Sequence, residues 1–388
     1  MKKRNYMEIV GVLSLSLILT SALSVSSCLP EMLNTFSNHS RSSIELLMSV
    51  PAFAMMIIIA SSPMLLKYMN ERTMITSGLL IYGIAGMIPI FFTSYGIILV
   101  SRILMGIGIG LINTKAVSMI GERFTGNLQQ RLQGMRCSME TLGQATLTLI
   151  AGQLLGFKWN YAFVIYGIAF VILFIYLKFV PASMVQSNVN GEFKKVGYKI
   201  SFSEWILIFQ NAVLGGILVC SSVSNSLRIA SYVTEKGIGT AVNGATILSL
   251  ATFVGFLSGL IFGNLIKTLR RFTLPFSMCI GAIGFAIIAF ANNLIVVAVG
   301  ASISSFSVTI GTSFIFNRLS SRLPVRALDT GNSIVLVGCN LGSFIAPFVL
   351  QAVNVVSPEL SAGFLTYAIL YLMIAIIAFL RSICNMKK

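Results

Sequence analysis

Most charged residues in this chain cluster between long apolar runs. Those inside a run are therefore the first candidates for chemistry. Arg102 stands about five residues into a run over 97–119, where a charge costs some kcal/mol unless it meets water or a partner. It either faces a cavity, binding an anionic group or modulating proton transfer, or extends to the outer interface along its apolar stem. Glu140 is the one carboxylate placed well inside a run, 134–156, where it could load and release a proton. Arg136 precedes it by one helical turn on the same face, so a structural ion pair competes with the proton-carrier reading. Lys115 lies near the inner end of its run and reads as snorkelling. Asn225 and Arg228 sit at the outer end of a run over 205–227. Asn113, Gln144, Gln153, Gln210, Asn211 and Asn340 can hydrogen-bond a solute or equally join helices.

Other chemistry finds little support. The six cysteines are scattered, no CxxC pair occurs, and His39 is the only histidine, so no metal or cofactor site is expected. Asp329 is the only aspartate, which leaves no aspartate pair for a membrane-embedded enzyme. Gly106, Gly108 and Gly110 superficially match a dinucleotide loop, but no strand precedes them, and Gly106 and Gly110 are spaced for close helix packing. No Walker motif is present. Met1–Arg4, an apolar run and Val25–Cys28 have the pattern of a lipoprotein signal, but an ordinary first span is the preferred reading.

The elements that must position these residues follow from hydropathy. Of the 388 residues 56% are hydrophobic and 10% charged, with a mean hydropathy of +0.90. A soluble coat needs about 25% charge. The apolar runs match the roughly 30 Å hydrocarbon core when helical, and they lack the alternation of barrel strands. Twelve spans result: 9–30, 46–66, 74–94, 97–119, 134–156, 161–180, 205–227, 241–263, 273–292, 294–316, 330–352 and 362–381. With both termini inside, 21 of the 27 basic residues fall on the cytoplasmic side and four outside. The net charge of +16 thus reflects topology and needs no nucleic-acid partner.

The chain also repeats itself at a shift of about 200 residues. Leu66–Arg72 echoes Ile266–Phe272, Leu142-Gly143 echoes Leu341-Gly342, and Ser21–Ser27 echoes Ser221–Ser226. The expected organisation is a six-helix bundle over 1–183, a cytoplasmic linker over 184–203 and a second bundle over 204–388. This is the plan of a transporter that rocks two bundles about a central site.

Over nearly its whole length the chain resembles the major facilitator superfamily. Ser101-Arg102-Ile-Leu-Met-Gly106-Ile-Gly108-Ile-Gly110 looks like the family's helix 4 arginine and glycine stretch. The loops after helices 2 and 8 are worn copies of the family's conformational loop. The first keeps Lys67 and Arg72 but has Ser62, Leu66 and Met69 where Gly, Asp and Gly are usual; the second keeps Gly263, Lys267, Arg270 and Arg271. The Gly-Pro pair of drug/proton antiporters is missing, since Gln153 follows Gly152.

The resemblance implies an all-α fold and a multi-pass secondary transporter, proton-driven by default and monomeric, while high Ile, Asn and Lys use with short loops points to a bacterial inner or plasma membrane. Drug or metabolite efflux stands beside an uptake permease, uniporter or exchanger. A membrane enzyme or a non-transporting sensor is the remote alternative. The balance of Arg102, Arg136 and Arg228 against few acids favours a neutral or anionic solute.

Overall fold

The computed structural model describes residues 2–61, 64–65, 68–124, 126–181 and 201–384. Most of the predicted linker, 184–200, and Lys67 lie outside the described residues. Among the described residues thirteen α-helices carry the architecture: α1 (Lys2–Ser14), α2 (Leu29–Thr35), α3 (Arg41–Ala60), α4 (Glu71–Phe91), α5 (Tyr95–Arg123), α6 (Gly126–Leu154), α7 (Ile168–Phe179), α8 (Phe202–Glu235), α9 (Ala241–Leu269), α10 (Thr273–Ala289), α11 (Leu294–Arg322), α12 (Val325–Val356) and α13 (Leu360–Cys384). The first predicted span is a broken helix: α1 and α2 are joined by tight 3₁₀ turns over the serine-rich stretch, with a bend of 45°. The sixth begins with a 3₁₀ segment, Trp159–Gly167, that leads into α7.

All twelve predicted spans thus have a helix. Among the described residues nine stretches are long and apolar enough to cross a membrane, or ten with the bent first pair. One of those stretches, Ala241–Ala289, contains two helices, while α6 is not among them, since even its more apolar second half carries Glu140, Gln144 and Gln153. Several helices start earlier than hydropathy suggests. α3 begins at Arg41 rather than 46, and α6 at Gly126 rather than 134, because helices continue past the apolar core. Polar side chains set some of these starts. Ser201 with Glu204, and Thr240 with Asn243, form reciprocal caps at the heads of α8 and α9.

The chain divides into two compact units. One contains Met1–Val25 and Leu46–Gly197, the other Ser26–Glu45 and Tyr198–Lys388. Small residues let backbones meet in each, as expected where lipid supplies no hydrophobic drive between helices. A Cβ on Gly143 would lie 2.1 Å from the Leu17 carbonyl oxygen, and one on Gly342 would lie 2.1 Å from that of Gly216. The two crossings repeat each other at the shift seen in the sequence. Gly106 abuts the Pro51 backbone and Gly110 the side chain of Ile58, so these glycines pack α5 on α3. The repeated serines also behave alike. Ser21 Oγ lies 2.6 Å from the Tyr82 hydroxyl in the first unit, and Ser221 Oγ lies 2.6 Å from that of Tyr371 in the second.

Candidate functional site

α5 carries Arg102 into the interior of the first unit, where the residue is 1% exposed. Its guanidinium is enclosed by protein and does not reach out along its stem. Its surroundings are aromatic and sulfur-rich. Nη1 donates to the Tyr166 hydroxyl at 3.0 Å and approaches Met105 Sδ at 3.2 Å, while Nη2 lies 3.5 Å from Met48 Sδ. The guanidinium carbon sits 4.7 Å from the Phe163 ring centre and 5.3 Å from that of Tyr166. The 3₁₀ segment before α7 supplies both rings, placing two faces three residues apart on one side. Nε–H has no acceptor, and no carboxylate pairs with the guanidinium among the described residues. Each cation–π contact is worth about 2 kcal/mol when desolvated. Removing an ion from water costs several kcal/mol. The box therefore offsets only part of that cost, and an anionic group reaching the guanidinium would gain from it.

Arg136 and Glu140 do pair, Nη1 to Oε1, one turn apart on α6. The pairing opposes the use of Glu140 as a lone proton carrier. The Glu140 carbonyl also accepts from Thr20 Oγ1 at 3.1 Å, fastening α6 to the broken first helix. At the end of α5 Arg123 joins three elements. Nη1 meets Glu8 at 2.8 Å, and Nη2 meets Glu71 at 2.5 Å and the Pro181 carbonyl at 3.1 Å. Burial alone would lower the affinity of this guanidinium for its proton, but the two carboxylates outweigh it and raise it.

The second unit holds a carboxylate that sequence reasoning missed. Glu45 lies one residue before the predicted span, yet on α3 it is 1% exposed and faces Arg228, 2% exposed, on α8. Arg228 Nε is 2.7 Å from Oε1, off the N–H axis, and Nη2 is 3.5 Å from Oε2. Nη1 also donates to Asn354 Oδ1 on α12 at 3.3 Å. Glu45 is thus more deeply buried than the half-buried Glu140, and the charge of Arg228 is compensated. One turn before Glu45, Arg41 pairs with Glu235 at 2.5 Å, in a more exposed position. The i,i+4 spacing of Arg41 and Glu45, set against Arg228 and Glu235 in the same plus-then-minus order along the chain, was the signal available in the sequence.

The predicted polar residues divide in the same way. Asn225 donates to Ser304 Oγ at 2.9 Å and is buried with its Oδ1 unpartnered. Asn211 and Asn340 bond back to their own helices, at Leu207 and Leu336. Asn113 and Gln144 are half-buried, and Gln210 is exposed. In the loops, Arg72 reaches the Leu177 carbonyl at 3.4 Å, while Lys267, Arg270 and Arg271 are exposed where α9 turns into α10. Arg270 adopts a positive φ of 46°, a conformation disfavoured by a side chain and absent from every other non-glycine described residue.

Comparison with known proteins agrees with this architecture. The family model of the Major Facilitator Superfamily matches residues 11–347. No curated protein matches. Among solved structures, a D-xylose-proton symporter is 15% identical with a TM-score of 0.74, covering 96% of this chain and 97% of that one. The inward-open xylose transporter XylE from E. coli is 13% identical at 0.72, covering 96% and 94%. An inward-facing bacterial homologue of the human lysosomal transporter Spinster is 16% identical at 0.76, covering 99% and 98%. The fold is shared with these proteins, and with the match over residues 11–347 the chain belongs to the major facilitator superfamily of multi-pass membrane transporters.

Proposed function

We propose that this protein moves a small neutral or anionic solute across the membrane by alternating access, driven by protons, with Arg102 as the charge that meets the solute or biases proton transfer. The observation that carries the reading is the Arg102 box: a buried guanidinium held by two rings, a hydroxyl and two sulfurs, with no carboxylate partner among the described residues. Arg136 and Arg228 have their own acids, so the electrostatic preference for an anion rests on Arg102 alone. The Arg136–Glu140 pair would act as a coupling element whose acid must part from its cation to take a proton. The sequence halves 1–183 and 204–388 would rock about the 184–203 linker as a monomer in a bacterial inner membrane. Lys67, Arg72, Lys267, Arg270 and Arg271 would steady one conformation. The xylose symporter and the Spinster homologue share the fold at low identity and leave the solute open.

Proteoliposomes with an internal pH dye, given sugars, amino acids, organic anions and drugs in turn, test the reading and reveal whether the solute enters or leaves. At least one neutral or anionic solute should evoke proton flux, and Arg102→Met should reduce that flux about tenfold or more, the loss of one buried charge-assisted contact. A panel that evokes no solute movement, or a variant as active as the parent, contradicts it.

A further inference from the structure

The Glu45–Arg228 pair has features that a static surface bridge lacks. Residues 26–45 belong to the second unit by packing but are covalently continuous with Val25 and Leu46 of the first. α3 and α8 meet through two charge pairs in reversed order, Arg41 with Glu235 and Glu45 with Arg228. The residue numbers rise on one helix as they fall on the other, so the helices cross antiparallel with complementary charges in register. The outer pair is solvated, with side chains 28% and 47% exposed, while both side chains of the inner pair are 2% exposed.

We propose that Glu45–Arg228 is a charge latch that opens in each transport cycle, and that Glu45 is the carboxylate that takes up a proton to open it. The inference rests on the transport reading above. A buried ion pair holds only through mutual attraction that repays its desolvation. When a proton moves from water onto a Glu45 carboxylate oxygen, that oxygen becomes a hydroxyl, Arg228 keeps its own proton, and the attraction is lost. The groups facing Glu45 are Arg228 and Glu235 on α8 and Arg41 on its own helix. Arg228 retains the Asn354 carbonyl on α12 as acceptor, so it has a partner while the latch is open. The segment 26–45 is then held to α8 by the solvated Arg41–Glu235 pair and apolar contact. In the charge-biased topology this is the outer side, where a proton arriving from outside would find it.

Cys28, fully buried in the same segment, reports the opening without any solute. In full-length protein with the other five cysteines replaced by serine, Cys28 is labelled with a membrane-impermeant maleimide. Rates are normalised to the unfolded chain at the same pH, which removes the thiol's own titration. The parent should label slowly near pH 8 and roughly tenfold faster near pH 5, as a carboxylate gains its proton. Glu45→Gln should label fast at both. If Glu45→Gln does not fold, the swap of Glu45→Arg with Arg228→Glu carries the test and should restore slow labelling near pH 8. Slow labelling in Glu45→Gln, a pH response that survives it, or a swap that labels fast near pH 8 each overturns the latch. Because no solute is needed, these outcomes remain readable even where the transport reading fails.

Discussion

Among the described residues each unit buries one arginine, and the two are buried differently. Arg228 enters the second unit with an acid, Glu45, and an amide, Asn354, as partners. Arg102 enters the first with rings, a hydroxyl and sulfurs, and no acid. A compensated charge can serve as structure or as a switch that is neutralised on demand. An uncompensated one is destabilised where it stands and is relieved when an anion arrives. The fold is repeated down to the glycine crossings at Gly143 and Gly342, so scaffold geometry alone does not dictate this difference. It comes from which side chains the repeat has kept at each place.

Substitutions break or sharpen the contrast. The largest effect is expected at Glu45→Ala, which strands a buried guanidinium: chemical or thermal unfolding in detergent should show a loss of about 3–5 kcal/mol. Leucine at both Glu45 and Arg228 should recover most of it. Arg102→Met should go the opposite way, holding or raising stability by about 1–4 kcal/mol in the same assay while solute-driven flux falls, because a charge without an acid leaves and an apolar chain of similar reach replaces it. A stability loss at Arg102→Met comparable to Glu45→Ala would erase the distinction between the two arginines.

Tyr82→Phe and Tyr371→Phe remove the matched hydroxyls that meet Ser21 and Ser221, each at 2.6 Å. Both should cost about 1 kcal/mol, equal within error, since a neutral buried hydrogen bond is worth that much. Unequal costs would mean that the repeat is geometric and not energetic. The smallest effect is expected at Arg41→Ala, whose partner Glu235 is half exposed: under about 1 kcal/mol, with the remainder screened by salt.

Much of this was legible in the sequence, for identifiable reasons. Helix number and approximate position follow from the match between apolar run length and bilayer thickness, and the spacing of Gly106 and Gly110 predicted a close helix crossing, whose partner, α3, only the structure names. The burial of Arg102 was not legible. One helical turn from the membrane edge, snorkelling and burial have the same sequence, and only Phe163 and Tyr166, some sixty residues away, decide between them. Glu45 was missed because a hydropathy window trims the polar head of a helix: Arg41-Ser-Ser-Ile-Glu45 reads as a loop, although the helix begins there. The Arg136–Glu140 pair was visible from its i,i+4 spacing, whereas Glu45–Arg228 spans 183 positions and needs the fold to bring it together.

The central claim, that Arg102 is the uncompensated charge awaiting an anionic or polar group, is tested most directly by ligand-induced thermal stabilisation. Purified protein is heated with each member of a panel of sugars, amino acids and organic anions, for the parent, Arg102→Met and the Glu45/Arg228 double leucine variant. The account predicts that at least one solute raises the Tm of the parent and of the double variant, and that the shift vanishes in Arg102→Met. A solute that stabilises Arg102→Met as strongly as the parent would contradict it.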